Sequence, residues 1–261
     1  MNTALRFAEI DRLKTRFDSL RPLPPNTVRT LHEQQVLEWT YHSNAIEGNT
    51  LTLKETKVVL EGITIGGKLL REHFEVINHK EAIDYVEAIV GGQETLSEWQ
   101  IKSIHQLVLK NIDNHNAGRY RQENVVSAGA EHVPPDFIKL PELMAGLMTG
   151  YQGASGLHPL ERAARLHVDF VGIHPFVDGN GRIARLLMNF ELLRCGYLPV
   201  VIPVERRFEY YDMLDNAHTR SDYTAFIELT AELERAALER YLRLLTGNEF
   251  SPSPDPHPLG E

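Results

Sequence analysis

A run of twelve residues in the second half of the chain contains the groups that phosphate chemistry requires. The run reads His-Pro-Phe-Val-Asp-Gly-Asn-Gly-Arg-Ile-Ala-Arg and occupies positions 174–185. A neutral imidazole takes a proton from an attacking hydroxyl group at cellular pH. A carboxylate, glycine-flanked backbone amides and two guanidinium groups hold a polyphosphate together with its metal ion. The run therefore predicts a polyphosphate site with a general base beside it.

Two predicted helices position this run. Apolar residues recur at helical spacing from Glu161 to Ile173, and His174-Pro175 should end this helix because a residue before proline avoids the helical region. A second helical pattern extends from Gly181 to Arg194, and Gly196 follows where a C-terminal glycine cap belongs. The loop between the helices then delivers backbone amides to a helix N-terminus, where the amides and the helix dipole favour an anion.

The two arginines of the run support this interpretation. Arg182 and Arg185 are three positions apart, so both project from one face of the first helical turn. Two cations near a helix N-terminus oppose the dipole unless an anion or a carboxylate compensates them. Asp-Gly and Asn-Gly alone are ordinary turn dipeptides. Their coincidence in order and spacing with the histidine and the arginines favours a functional site.

The run resembles the motif of the Fic family, HPFx(D/E)GNGRxxR, at every specified position. Residues 118–121, 187–189 and 210–211 are also similar to Fic segments, so the resemblance extends from about Val36 to Leu245. It implies a mainly α fold, with a Fic-type helical core, a short β-hairpin flap and an N-terminal helical region. The long 3.6-period segments agree with a mainly α chain.

The resemblance implies a protein adenylyltransferase that transfers AMP from ATP to a serine, threonine or tyrosine hydroxyl of a target protein, or of the enzyme itself. His174 resembles the general base of the family, and Asp178 resembles its Mg²⁺ ligand. The phosphate-binding residues implied by the family are Gly179, Asn180, Gly181, Arg182 and Arg185, of which Arg185 is expected at the γ-phosphate.

A second motif predicts inhibition within the same chain. Residues 30–47 have a helical pattern, and Ser43-x-x-x-Glu47-Gly48 resembles the Fic inhibitory motif (S/T)xxxE(G/N). In that family the glutamate pairs with the second arginine of the core motif, which is Arg185 here. A carboxylate at this position competes with the γ-phosphate for one guanidinium group. The same glutamate can position water for removal of AMP, and the sequence leaves this reverse activity open.

The remaining site residues are implied by weaker likeness. Tyr211 is a candidate for packing against the base of the nucleotide, although core filling is an equal alternative. His218 stands where many relatives carry asparagine, which leaves the identity of the base less fixed than polyphosphate binding. A short hairpin is predicted around Val125, Val126 and Ser127, and its edge would hold a target segment by strand addition.

The amino-acid composition limits the classes of binding partner that are expected for the chain. The net charge of −9 gives no basic footprint, so neither nucleic acid nor an anionic membrane is expected as a partner. The single cysteine, Cys195, excludes an internal disulfide framework and suits a reducing cytoplasm, and the sequence leaves a homodimer open. We expect an N-terminal helical region over residues 1–95 with the inhibitory helix at about 30–48, a catalytic core over residues 96–246, and a disordered tail over residues 247–261.

Three alternatives are weighed against this interpretation. The closest transfers UMP or another phosphate-containing group. A different class is a silent binding module that senses ATP, but an intact His174 argues against it because a sensor needs no base. A zinc hydrolase is disfavoured because the chain has no H-E-x-x-H motif, and His167 and His174 lack a third ligand at metal-binding spacing.

Overall fold

The computed structural model describes residues 3–126 and 130–247, and within them the chain is built of α-helices without a β-strand. The mainly α fold is thus confirmed. In the described residues no helix is long and apolar enough to cross a membrane. The helices are α1 (Thr3–Ser19), α2 (Pro25–Ile46), α3 (Leu53–Leu60), α4 (Leu70–Gly91), α5 (Glu98–Val108), α6 (Leu140–Gly153), α7 (Pro159–Ile173), α8 (Asn180–Arg194), α9 (Arg207–Arg220) and α10 (Thr224–Thr246).

Helix α8 lies at the centre of the molecule, and nearly all of its residues are buried, including the polar ones of its first two turns. It packs along α7, and two hydrophobic clusters meet at this pair. One cluster joins α7 and α8 to α1, α9 and α10, and the other joins them to α2, α4, α5 and α6. The loop between α7 and α8, which carries most of the motif, is therefore supported by the whole helical core.

The predicted ends of α7 and α8 agree closely with the structure. Helix α7 begins at Pro159, a residue whose fixed φ suits the first helical position, and ends at Ile173. Helix α8 begins at Asn180 and ends at Arg194. Gly179 before it and Gly196 after it adopt positive φ angles of 82° and 76°, which glycine tolerates without steric cost.

Helix α2 is longer than the sequence predicted. It begins at Pro25, so residues 25–29, which precede the predicted helical pattern of residues 30–47, are its first turn and a half. Proline is accepted there because its missing N–H would have no helical partner. The helix ends at Ile46, and Gly48 has φ 98°. Thr52 then opens α3 with a capping box to Glu55.

The predicted hairpin is wrong in its described part. Val125, Val126 and residues 130–136 form no strand, while Ser127 lies outside the described residues. The backbone N–H groups of Glu131 and His132 donate to the Asp215 carboxylate at 3.2 and 3.4 Å, so these amides are bound to α9. The run Val125-Val126-Ser127 predicted the strand, but a local run carries no information about this side-chain acceptor. Apart from Gly247, the predicted tail over residues 247–261 lies outside the described residues.

Candidate active site

Side chains hold the loop between α7 and α8 in place by forming hydrogen bonds with its backbone groups. The buried Arg121 donates from Nε to the His174 carbonyl at 2.9 Å, and its backbone N–H donates to the Pro175 carbonyl at 3.0 Å. The Asn180 amide donates to the Phe176 carbonyl at 2.8 Å and accepts from the Phe176 N–H at 3.0 Å. The Asn180 side chain thus shapes the loop. The group that Asn180 can offer to an anion at the start of α8 is therefore its backbone N–H.

His174 caps α7 in the left-handed conformation, with φ 50° and ψ 57°. A non-glycine residue in this conformation costs about 1–3 kcal/mol, so the bonds from Arg121 have to hold it there. Burial lowers the pKa of the imidazole below its ordinary 6.5, and this outweighs the hydrogen bond to the Val171 backbone and the charge of Glu47, which raise it. The ring is neutral at pH 7 and is able to accept a proton.

A second histidine, which was not predicted from the sequence, contacts the loop from helix α5. His105 of α5 stacks on Phe176 with a centroid distance of 3.6 Å and an interplanar angle of 9°. Its Nδ1 accepts from the Gly118 N–H at 2.8 Å, so the proton lies on Nε2, which donates to the Asp178 carbonyl at 3.1 Å. Burial lowers its pKa to about 4, so it stays neutral. His105 follows a plain helical pattern, and nothing in the sequence connects it with Asp178.

Hydrogen-bond donors surround the Asp178 carboxylate. Oδ1 accepts from the Gly179 N–H at 2.6 Å and from Arg182 Nη2 at 3.1 Å, and Oδ2 accepts from Arg71 Nη2 at 2.6 Å. Burial raises the pKa of Asp178, but the charges of Arg182 and Arg71 outweigh it and lower that pKa below its ordinary value. The carboxylate is therefore ionised at neutral pH, which is the state that a divalent cation requires of its ligand.

The guanidinium group of Arg185 is buried against α2. Its Nε donates to Ser43 Oγ at 3.0 Å, and its Nη2 donates to the Ser43 carbonyl at 2.8 Å and to Glu47 Oε1 at 2.7 Å. Burial lowers the pKa of Arg185, but the Glu47 carboxylate outweighs it and raises that pKa above its ordinary value. Both named residues of the second motif thus contact Arg185, and the serine contributes two of the three bonds.

The Glu47 carboxylate lies directly over the first turn of α8. A Cβ atom added to Gly181 would overlap Glu47 Oε1, so the glycine is what allows this approach. The first N–H groups of a helix have no partner within the helix, and together with the dipole they attract an anion. Glu47 therefore occupies the position at which the sequence predicted a phosphate group.

Two further buried side chains complete the surroundings of Arg185. The Tyr210 hydroxyl accepts from Arg185 Nη1 at 3.3 Å and lies 3.1 Å from His167 Nε2. Burial raises the pKa of Tyr210 to about 12, so it remains a neutral phenol. In the sequence, Tyr210 is only part of the family resemblance, and His167 is a disfavoured candidate for a metal ligand. In the structure His167 is a core residue bonded to the tyrosine.

The two candidates for base recognition lie in different surroundings. The Tyr211 hydroxyl donates to the Ile46 carbonyl at 3.1 Å, so this tyrosine contacts the end of α2. His218 donates from Nε2 to the Val168 carbonyl at 2.9 Å, and its ring stacks at an angle on His132 with a centroid distance of 4.6 Å. The rings of His132 and His218 line a cavity of about 810 Å³ that extends along α6 and α7.

The structure thus brings one group of predicted residues together and leaves another apart. The compact group consists of His174, Asp178, the first turn of α8 with Arg182 and Arg185, and the end of α2 with Ser43 and Glu47. His218 faces the separate cavity. The side chain of Val126 is 85% exposed, and Val125 is half-buried.

Comparison with known sequences gives consistent matches. Residues 95–192 match the model of the Fic/DOC family. The chain is 36% identical over 247 residues to the protein adenylyltransferase Fic of Nematostella vectensis, which covers 91% of this chain and 56% of that relative. It is 37% identical over 220 residues to the protein adenylyltransferase fic-1 of Caenorhabditis elegans, which covers 82% of this chain and 43% of that relative. The chain spans about half the length of the curated relatives it matches.

Solved structures agree with the sequence matches. The fold is similar to that of Fic-1 from C. elegans, with a TM-score of 0.85, 31% identity and coverage of 94% of this chain and 73% of that chain. It is also similar to a Fic domain containing signaling protein from Bacteroides thetaiotaomicron, with a TM-score of 0.84, 29% identity and coverage of 94% of this chain and 99% of that chain.

Proposed function

The chain belongs to the Fic/DOC family, and from that premise we propose that it is a protein adenylyltransferase. It transfers AMP from ATP to the hydroxyl group of a serine, threonine or tyrosine in a target protein, and Glu47 inhibits this transfer within the same chain. The observation that carries the proposal is the Glu47–Arg185 pair, in which a carboxylate lies on the helix N-terminus where a phosphate group would bind.

His174 is the general base of the proposed reaction. The target hydroxyl oxygen attacks the α-phosphorus of ATP, and a new oxygen–phosphorus bond forms. The bond from that phosphorus to the bridging oxygen breaks, and pyrophosphate leaves. The proton of the hydroxyl group moves to the His174 imidazole, which is neutral and buried beside the start of α8.

The start of α8 binds the phosphate groups. The backbone N–H groups of Gly179, Asn180 and Gly181 form the anion site, and Gly181 offers no side chain that would block it. Arg182 and Arg185 supply the two guanidinium groups. Burial of both arginines supports this role, because an anion gains more from a charge that water does not screen.

Asp178 is the residue that holds Mg²⁺. Its ionised carboxylate and its position at the same helix N-terminus fit a cation that takes one or two carboxylates and several phosphate oxygens. When bound, the metal ion neutralises charge on the phosphate groups of ATP. The loop contacts from His105 and Arg121 orient the carboxylate and the base relative to one another.

Glu47 inhibits by occupying the guanidinium group that the γ-phosphate needs. Breaking a buried ion pair is costly unless another charge replaces the lost partner, and the γ-phosphate is such a charge. While Glu47 is bound, ATP can still enter, but its α-phosphate is not aligned with the attacking hydroxyl group. Gly48 follows with a positive φ and lets the chain turn away after the carboxylate.

Several finer assignments belong to the same proposal. Tyr211 and His218 contact the base of ATP, and residues 125–127 hold the target segment near His174. The enzyme modifies itself as well as its target, and it acts in the cytoplasm, in agreement with one unpaired, half-buried cysteine. Residues 96–246 form the catalytic core, and the preceding residues carry the inhibitory helix.

The proposal is tested by incubating the Glu47→Gly variant with labelled ATP, UTP or GTP, Mg²⁺ and a cell lysate. We expect label from ATP, carried on the α-phosphate, to appear on the enzyme and on a target protein. Label from UTP alone would support a uridylyltransferase. Nucleotide binding without any transfer, in both the wild type and the variant, would support an ATP-sensing module and contradict the proposal.

A further inference from the structure

The carboxylate proposed to hold the metal ion is bound by an arginine from outside the motif. Arg71, in the first turn of α4, donates from Nη2 to Asp178 Oδ2 at 2.6 Å. Its Nε donates to Glu75 Oε1 at 3.0 Å, one helical turn further along α4. The side chain of Arg71 is 55% exposed, whereas that of Arg182, the other arginine on Asp178, is 3% exposed. Arg71 thus lies on the solvent side of the carboxylate, and Arg182 lies beneath it.

Arg71 and a divalent cation cannot share Asp178 without conflict. Oδ1 already accepts two hydrogen bonds, from Gly179 and Arg182, so Oδ2 is the less occupied oxygen. A bound Mg²⁺ lies about 2.0–2.1 Å from its oxygen ligand. A guanidinium group that donates to the same oxygen would then repel the dication at close range. Binding of the metal ion through Oδ2 therefore requires Arg71 to leave.

Arg71 is also connected to the segment that carries Glu47. The Asn49 amide, two residues after Glu47, donates to Glu75 Oε2 at 2.9 Å and to the Glu72 carbonyl at 3.0 Å. Glu75 thus binds Asn49 with one oxygen and Arg71 with the other. The contacts that hold Arg71 over Asp178 begin in the same turn as the inhibitory glutamate.

We propose that Arg71 occupies the metal ligand in the resting enzyme and competes with the divalent cation for Asp178. The inference rests on the proposed function, in which Asp178 holds the metal ion. Inhibition then acts at both ends of the phosphate site: Glu47 takes the guanidinium group of Arg185, and Arg71 takes the carboxylate of Asp178. Arrival of the metal ion moves Arg71 outward, while its Nε contact to Glu75 is able to persist.

A positioning role for Arg71 is the rival interpretation, and it predicts the opposite effect. If Arg71 oriented Asp178 for the metal ion, its removal would weaken metal binding. The orientation of Asp178 already has three other sources: the Gly179 N–H, Arg182, and His105 on the backbone carbonyl. Arg71 contributes only the bond to Oδ2, and its exposure lets it move away without leaving a buried charge.

The test is a titration of the metal-free, nucleotide-free full chain with Mn²⁺, in which free Mn²⁺ is measured by electron paramagnetic resonance. The proteins are the wild type, Arg71→Met, Asp178→Ala and a control, Arg29→Met, which removes one charge from an exposed arginine of α2. We expect Arg71→Met to bind Mn²⁺ roughly 3–10-fold more tightly than the wild type, since an ion pair and a repulsion are both removed. Arg29→Met should bind as the wild type does.

The outcomes separate this inference from the proposed function. Weaker binding by Asp178→Ala together with tighter binding by Arg71→Met supports both. Weaker binding by Asp178→Ala with unchanged or weaker binding by Arg71→Met overturns the competition and leaves the metal assignment in place. Binding by Asp178→Ala equal to that of the wild type overturns both. Thermal melts of each variant without metal confirm that the fold is retained.

Discussion

Two helices of the N-terminal region end in the same way, but their carboxylates have different partners. Helix α2 is capped at its C-terminus by Glu47, with φ −84° and ψ 1°, followed by Gly48 with φ 98°. Helix α3 is capped by Glu61, with φ −80° and ψ 2°, followed by Gly62 with φ 86°. Glu47 lies 2.7 Å from the buried Arg185, whereas Glu61 lies 4.0 Å from an exposed lysine one turn back. A Glu-Gly helix end is therefore a local structure, and a distant partner decides its function.

The difference is one of dielectric surroundings. An exposed pair such as that of Glu61 is screened by water and contributes little to stability. The guanidinium group of Arg185 is removed from water, so it must always have an anionic or strongly polar partner. In the proposed function, Glu47 and a γ-phosphate are alternative partners for this buried cation, and their exchange would let a helix end regulate the reaction.

The largest expected effect removes the reaction without any further change at either helix end. His174→Ala, made in the Glu47→Gly background, should lower the rate of AMP transfer by about 10²–10⁴-fold because the general base is lost. ATP binding should persist, since the amides of α8 and both arginines remain. Transfer rates are measured with labelled ATP and binding by calorimetry. Transfer at the rate of the Glu47→Gly parent would remove His174 as the base.

A smaller effect on the rate of transfer is expected from the serine of the inhibitory motif than from the glutamate. Ser43→Ala removes the hydroxyl acceptor of Arg185 Nε but keeps the Ser43 carbonyl and Glu47. We expect roughly 2–10-fold faster AMP incorporation, since one hydrogen bond contributes about 0.5–1.5 kcal/mol. Ser43→Thr keeps the hydroxyl group and should remain as inhibited as the wild type. Equal incorporation by the alanine variant and the wild type would show that the serine contact does not restrain Arg185.

The smallest expected effect is on the protonation of His174. Burial holds its pKa below 6.5, and the Glu47 charge raises it in part. Removing that charge in Glu47→Gly should lower the pKa further, whereas Glu61→Gly should not change it. Imidazole chemical shifts recorded against pH measure both values. Transfer by Glu47→Gly should fall as the pH drops through this pKa, because a protonated ring accepts no proton. A higher His174 pKa in Glu47→Gly would contradict the electrostatic effect assigned to Glu47.

Local patterns in the sequence were sufficient for much of the fold. The ends of α7 and α8 follow from His174-Pro175, Gly179 and Gly196, because each depends on residues within one turn. The predicted pattern of residues 30–47 missed the start of α2 at Pro25, although proline suits the first position of a helix. The described part of the predicted hairpin forms no strand, and there the amides of Glu131 and His132 bind Asp215, which is more than eighty residues away.

The candidate site was predictable where a motif fixes the spacing, and not where contacts come from distant helices. The motif resemblance named Glu47 and Arg185, and the structure joins them. Arg71, His105 and Tyr210 contact the site from α4, α5 and α9, within helical patterns that any core or surface residue would satisfy. Their effect depends on tertiary packing, which no local spacing in one sequence reports.

Inhibition of AMP transfer by Glu47 is tested most directly by changing the two helix ends in the same way. Initial rates of AMP incorporation are measured for the wild type, Glu47→Gly, Glu61→Gly and the double variant Glu47→Gly with Arg185→Ala. The local change is the same at both helix ends. If the Glu47 contact inhibits by about 1–3 kcal/mol, Glu47→Gly should gain roughly 5–150-fold.

Glu61→Gly should match the wild type, and the double variant should lose most of the gain, because the freed Arg185 is its cause. Equal rates for the wild type and Glu47→Gly, with ATP bound equally by both, would contradict the central claim. Glu47 would then be a helix end of the same kind as Glu61.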